Sequence, residues 1–268
     1  MRRTETIVSA ANPLVKDVRR AIARGSLTPQ GLCIAETFHL LEEALRSDCE
    51  VKYVLAAESV QSATEKHVRR LAGIHVAVLP DALFQSLSGT ETSQGVMALV
   101  KPPEWNLDQL FRGRPLVVLL DGLQDPGNAG SIVRAAEAFG ATGVLFLKGA
   151  VSPYNPKTLR ASAGSLFRLP FLQSVDPALA RAALQQHRLQ LYAGVPMRAG
   201  AAVRSLATAD LSRSCGLIIG NESRGVSAEW RGAAQDLSIP TAVVESLNAA
   251  VAAGILLYEA RRQRSLEP

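Results

Sequence analysis

The chain has 268 residues, 47% of them hydrophobic and 20% charged, which is ordinary globular usage and excludes disordered, collagenous and coiled-coil classes. No run approaches the ~20 uninterrupted apolar residues of a membrane span. Met1 to Thr6 leads into Asn12-Pro13 without the apolar core of a signal peptide, so the expectation is a cytoplasmic chain of about two domains. Lys and Arg number 29 against 24 acids, and the whole excess lies after residue 104. Such a balance fits a polyanionic partner.

Cys33, Cys49 and Cys215 are odd in number and widely separated, and the four histidines are isolated. Neither a disulfide framework nor a metal site is expected. Two basic stretches stand out. One is Arg2, Arg3, Lys16, Arg19, Arg20 and Arg24; the other is Lys148, Lys157, Arg160 and Arg168, with no acid between Glu137 and Asp176.

In chain order, Leu32 to Ala35, Val51 to Ala56, His75 to Leu79 and Val96 to Val100 are short β-branched runs that predict strands, with helical periodicity between them. Thr37 can cap a helix carrying Phe38, Leu41, Ala44 and Leu45 on one face and ending near Ser47. Pro102-Pro103 ends this first α/β unit, because consecutive prolines fix φ and remove two donors, and a linker is placed over residues 101–113. Beyond it, Pro115 to Leu120 reads as a strand buried on both faces of a parallel sheet. A helix over Ala129 to Phe139 follows, then strands at Gly143 to Leu147, Leu189 to Val195 and Gly216 to Ile219. A last helix runs from Ser246 to Arg264, with Leu247, Val251, Ile255 and Tyr258 on one face and Arg261, Arg262 and Arg264 where its dipole favours cations.

Three loops follow strands, where open α/β sheets place ligands. The first, Leu120 to Arg134, contains Asn128-x-Gly130-x-x-x-Arg134. The second is Gly220-Asn221-Glu222-Ser223-Arg224-Gly225, and the third runs from Ser238-Ile239-Pro240 to Ser246-Leu247-Asn248. Val226-Ser227 stands where a P-loop needs Lys and Ser/Thr, and the dinucleotide fingerprint and nucleophile elbow are missing. NTPase, Rossmann and hydrolase readings are therefore weak.

These three ordered motifs, over residues 115–264, resemble those of the SpoU (TrmH) RNA ribose methyltransferases. Residues 1–100, with Asn12-Pro13-Leu14-Val15-Lys16, look like the α/β substrate-binding domain often fused in front, similar to ribosomal-protein-like RNA-binding folds. The resemblance implies an α/β fold whose C-terminal methyltransferase domain, residues 114–268, has a largely parallel sheet and a deep trefoil knot. It implies S-adenosylmethionine as methyl donor, a homodimer completing each site, and RNA as partner, ribosomal RNA ahead of tRNA. Ile239-Pro240-Thr241 departs from the usual Ile-Pro-Met, and Asn248-Ala249-Ala250 from the usual Asn-Val-Ser.

The resemblance implies a catalytic set of Arg134, Asn128, Glu222, Ser246 and Asn248, and a cofactor pocket from Gly220, Asn221, Gly225, Ile239, Pro240, Leu247 and Asn248, within residues 193–250 and without metal. Lys16, Arg19, Arg20, Lys157, Arg160 and Arg168 are expected to face RNA. On chemistry alone Arg134 can grip a phosphate bidentately and stabilise charge on a 2′-oxygen, but its high pKa disqualifies it as a lone base. Asn128 could cap a helix or orient Arg134; Glu222 could be a solvated turn acid, a partner of Arg134, or a ligand group; Ser246 is the expected N-cap of the last helix. A non-catalytic RNA binder sharing the fold and an RNA base methyltransferase are the alternatives.

Overall fold

The computed structural model describes residues 3–69, 73–89, 92–196 and 203–265. It divides into two compact units. One comprises Met1–Glu104 with Tyr154–Arg168, the other Trp105–Pro153 with Leu169–Pro268.

The first unit orders β1 (Arg3–Thr6), α1 (Pro13–Arg24), β2 (Cys33–Glu36), α2 (Phe38–Arg46), β3 (Glu50–Ala57), α3 (Gln61–Val68), β4 (His75–Leu79), α4 (Asp81–Gln85) and β5 (Val96–Lys101). Its mixed sheet runs β1-β4-β3-β5-β2, with β4 parallel to β1 and β3, and β5 antiparallel to β3 and β2. Asn12 caps α1 by accepting from Leu14 N at 2.9 Å, with Pro13 entering the helix, and Gly25 ends it at φ +59°. That asymmetry follows from proline's fixed φ and glycine's tolerance of the left-handed region. Val15, Val18 and Ala21 are buried, while Lys16, Arg19, Arg20 and Arg24 stay exposed, one basic stripe at helical spacing. The side chains of Arg2 and Arg3 lie outside the described residues. Thr37 caps α2 through Leu40 N, as expected, but the buried face is Leu40, Leu41 and Ala44.

The second unit orders α5 (Leu107–Leu110), β6 (Leu116–Asp121), α6 (Pro126–Ala138) and β7 (Gly143–Leu147). The chain then supplies α7 (Pro156–Ser162) to the first unit. It returns for β8 (Phe171–Val175), α8 (Pro177–Gln186), β9 (Gln190–Gly194), β10 (Arg204–Ser205), β11 (Cys215–Gly220), α9 (Ala228–Arg231), β12 (Gln235–Ser238) and α10 (Ala249–Ser265). The sheet, β10-β12-β9-β11-β6-β7-β8, is parallel throughout, and β6 and β11 at its centre are buried almost end to end. That is why both read as continuous apolar runs.

The Tyr154–Arg168 segment departs from the sequence reading in where its cations go. Arg160 binds Glu36 at 2.6 Å, and Arg168 pairs with Glu43. Glu36 is only 2% exposed and also accepts from the Ser88 hydroxyl. A carboxylate that deep requires a charged partner, so Arg160 and Arg168 face acids of their own unit. Lys157 remains exposed.

Helix α10 also differs from expectation. It buries Ala253, Leu256, Leu257 and Ala260, while Val251 and Tyr258 are 51% and 56% exposed. Its Arg264 donates to the carbonyls of Leu211, Arg114 and Pro115 at 2.9–3.0 Å, fastening the helix end to two loops rather than complementing its own dipole. Cys33 and Cys215 are buried and Cys49 half-buried, all three as free thiols.

Candidate active site

Because β6 and β11 are parallel and in register, with Gly220 beside Asp121, the first two loops leave the sheet together. Asp125 caps α6 by accepting from Asn128 N at 2.7 Å, which frees the Asn128 side chain from the capping role considered for it. The Asn128 amide bridges instead. Its Nδ2 donates to Glu222 Oε1 at 3.2 Å, and its Oδ1 accepts from Asn248 Nδ2 at 3.0 Å.

Glu222 joins the first loop to the second. Oε1 also accepts from Asp125 N at 3.0 Å and Oε2 from Gln124 N at 3.2 Å. Burial alone would raise the Glu222 carboxyl, but the hydrogen bonds led by Asp125 N outweigh it and hold the group below its ordinary value. Glu222 is thus an ionised acceptor bound to the start of α6, and Arg134 is not its partner.

Asn248 performs a second task. Its Oδ1 accepts from Ala250 N at 2.9 Å and Val251 N at 3.3 Å, so Asn248, not Ser246, caps α10. Ser246 lies before the helix on the cleft wall. The three motifs are therefore joined by side chains in the order Glu222, Asn128, Asn248.

The second loop is rigid for a reason internal to it. Asn221 and Gly225 exchange backbone hydrogen bonds at 3.0 and 2.9 Å, and the Asn221 side chain accepts from Ser223 N and Arg224 N while donating to Gly122 O at 2.9 Å. A Cβ on Gly220 would lie 2.2 Å from Gly225 C and Val226 N, and Gly225 sits at φ +71°. Both glycines serve closure of this turn.

Beside it opens a cleft of about 490 Å³, lined by Gly194 and Val195 at the end of β9, Ile219 to Val226, Leu237, Ile239, Thr241, and Glu245 to Ala249. Of the expected pocket residues, Gly220, Asn221, Gly225, Ile239, Leu247 and Asn248 line it, joined by Glu222 and Ser246; Pro240, Asn128 and Arg134 do not. Apolar Ile219, Leu237, Ile239 and Leu247 interleaved with polar loop backbone suit a flat heteroaromatic group with a polar tail, and the volume falls in the ~300–1,000 Å³ range of small-molecule sites. The donor set fits S-adenosylmethionine. Among the described residues no group of three or more metal-ligating side chains occurs, and no helix is long and apolar enough to cross a membrane.

Arg134 is exposed on α6 and makes neither hydrogen bond nor ion pair among the described residues. The readings in which Asn128 or Glu222 holds it are corrected by the geometry: both are spent on each other and on Asn248. The end of β9, Gly194 to Pro196, is a cleft wall too, at the start of the 193–250 stretch expected to hold the cofactor, although none of the three was singled out by residue.

Comparison with known proteins identifies the family. Residues 115–258 match the SpoU rRNA Methylase family, and residues 12–98 match an MRM3-like substrate binding domain. The chain is 36% identical to an uncharacterised tRNA/rRNA methyltransferase of Synechocystis, covering 97% of this chain and 94% of the relative. It is 34% identical to the Bacillus subtilis 23S rRNA guanosine 2′-O-methyltransferase RlmP, covering 95% and 98%. The crystal structure of the SpoU methyltransferase AviRb from Streptomyces viridochromogenes in complex with the cofactor AdoMet superposes with a TM-score of 0.84 at 29% identity, covering 96% of this chain and all of that one. The parallel sheet, the three joined loops and the cleft define an S-adenosylmethionine-dependent RNA 2′-O-methyltransferase. The chain belongs to the SpoU rRNA methylase family.

Proposed function

We propose that this chain methylates a ribose 2′-hydroxyl of 23S ribosomal RNA, acting in the cytoplasm as a homodimer with a knotted C-terminal domain and without metal. The observation that carries the reading of the site is the Glu222–Asn128–Asn248 chain of hydrogen bonds, which fixes three distant motifs at one cleft and leaves the guanidinium of Arg134 free nearby in the sequence of α6.

Bound S-adenosylmethionine supplies an electrophilic methyl group on a sulfonium. Gly220, Asn221, Gly225, Ile239 and Leu247, which line the cleft, would hold its adenosine end, whereas Pro240, expected from the resemblance to join them, lies off the lining. Asn248 and Ser246 face the reacting ribose, and Asn248 keeps its orientation because α10 and Asn128 both use its side chain. Arg134 grips the phosphate beside the target and offsets negative charge growing on the 2′-oxygen. Glu222, ionised and filled with donors, positions α6 rather than taking the proton.

The first unit selects the RNA, with Lys16, Arg19 and Arg20 of α1 along the backbone, since a basic stripe at helical spacing suits phosphates. Residues 154–168 are assigned to that unit with 1–104, and Arg160 and Arg168 to its internal ion pairs. The exposed Val251 and Tyr258 on α10 support a second protomer covering that face. The 23S assignment follows the Bacillus relative, whose substrate is a 23S rRNA guanosine. Calorimetric titration with S-adenosylmethionine, methyl transfer to deproteinised ribosomal RNA and the solution mass of the protein test these statements together.

A further inference from the structure

Two arginines line the cleft, and their surroundings differ. Arg231 is bound by Asp236, with Nε donating to Oδ1 at 3.1 Å and the terminal nitrogen to Oδ2. Arg224 is exposed and has no side-chain hydrogen bond or ion pair among the described residues. It does not hang from a loose loop. Its backbone N–H donates to Asn221 Oδ1 at 3.1 Å, inside the turn closed by the Asn221 and Gly225 backbone bonds.

Two residues earlier, Glu222 ties this turn to Gln124 and Asp125, at the start of the helix that carries Arg134. The remaining unassigned charge on the cleft wall, Glu245, belongs to the third loop. The second-loop wall of the cleft thus presents a free guanidinium on a rigid backbone mount. A planar fork on a fixed backbone can take two oxygens of one anion at once, which is where arginine outperforms lysine.

We propose that Arg224 is an RNA-positioning residue, binding a phosphodiester that flanks the target ribose while Arg134 serves the target's own. The proposal rests on the 2′-O-methyltransferase reading. The shared chemistry is an oxyanion, and the other oxyanion that enters this cleft is the carboxylate of S-adenosylmethionine, so the experiment separates the two.

Full-length wild type, Arg224→Ala and Arg224→Lys are compared on deproteinised 23S rRNA with S-adenosylhomocysteine present, binding being followed between about 50 and 200 mM KCl. For Arg224→Ala the slope of log K against log salt flattens by about 0.7 to 0.9, one phosphate contact. KM for RNA rises about tenfold with kcat within about threefold, and calorimetry with S-adenosylmethionine is unchanged. Arg224→Lys recovers the salt slope, because the charge is kept. Unchanged RNA affinity and slope for Arg224→Ala overturn the proposal. A weakened cofactor affinity at unchanged salt slope also overturns it, assigning Arg224 to the cofactor carboxylate. Wild type run alongside keeps the two claims apart: its failure to methylate ribose would overturn the parent reading, while the slope still decides Arg224.

Discussion

Replacing Asn128 with Asp changes one atom of the junction between the three motifs. The oxygen that accepts from Asn248 survives, but the nitrogen that donates to Glu222 Oε1 at 3.2 Å becomes an oxygen facing a carboxylate. A hydrogen bond to a charged acceptor, worth about 1.5–3 kcal/mol, is lost. Two like charges at that separation repel by ~1 kcal/mol in water and ~5 kcal/mol at an effective dielectric of 20. Glu222 is exposed, so screening puts both contributions at their low ends, and the sum is about 2–3 kcal/mol.

At roughly 2–4 °C per kcal/mol for a unit of this size, the melting temperature falls by about 4–12 °C at pH 7. The new pair holds a proton more tightly folded than unfolded, so its carboxyl pKa is raised in the native state. Stability linked to such a group returns as pH falls through the folded value. The deficit against wild type therefore narrows between pH 7 and pH 5, where wild-type Glu222, held low, stays ionised. Thermal melts at the two pH values check this, with methyl transfer measured on the same samples. An Asn128→Asp variant that melts with wild type and transfers methyl normally would refute the reasoning that Asn128 is the junction.

Four further outcomes follow from the same geometry. Arg134→Ala loses about 100- to 1,000-fold in single-turnover transfer with cofactor affinity nearly unchanged, and Arg134→Lys does not rescue it, because the ammonium lacks the two-oxygen fork. Gly220→Ala drives a Cβ into the backbone of Gly225 and Val226, so S-adenosylmethionine binding, read by calorimetry, collapses while the first unit keeps its fold by hydrogen exchange. Arg160→Met removes the charged partner of the buried Glu36 and costs about 3–5 kcal/mol in thermal or denaturant melts. Because the Glu222 carboxyl is depressed on folding, its contribution is complete above its unfolded value near ~4.3 and is lost as pH falls through the lower folded one; the acid limb of the melting curve flattens in Glu222→Gln.

How much of this was legible in the sequence depended on how local the cause was. Strands β4 and β7 fall on the residues expected for them, since His75 to Leu79 and Gly143 to Leu147 are apolar runs in the interior of their sheets. Strands β1 and β10, Arg-Thr-Glu-Thr and Arg-Ser, were missed because such short polar runs carry no period, and their pairing is decided by neighbours far away in sequence. On α10 both Val251 with Tyr258 and Leu256 with Leu257 are apolar, and periodicity cannot choose which face turns inward. Ser246 and Asn248 are equally good caps two residues apart, and the Asn128 contact selects the second.

The site shows the same division. The spacing of the three motifs named the residues, but the bonds among them span 94 and 120 positions, and no local pattern reveals that Glu222 binds α6 rather than Arg134. Arg160 and Arg168, read as RNA contacts from a run without acids, meet Glu36 and Glu43 across 124 and 125 positions.

The central claim is methylation of a ribose oxygen in ribosomal RNA. The most direct measurement is to incubate the purified chain with isotopically labelled S-adenosylmethionine and deproteinised 23S rRNA, digest the RNA to nucleosides and identify the labelled product by mass. A single 2′-O-methylated nucleoside, absent with Arg134→Ala, is predicted. Label on a base, or no label with cofactor binding intact, would contradict it.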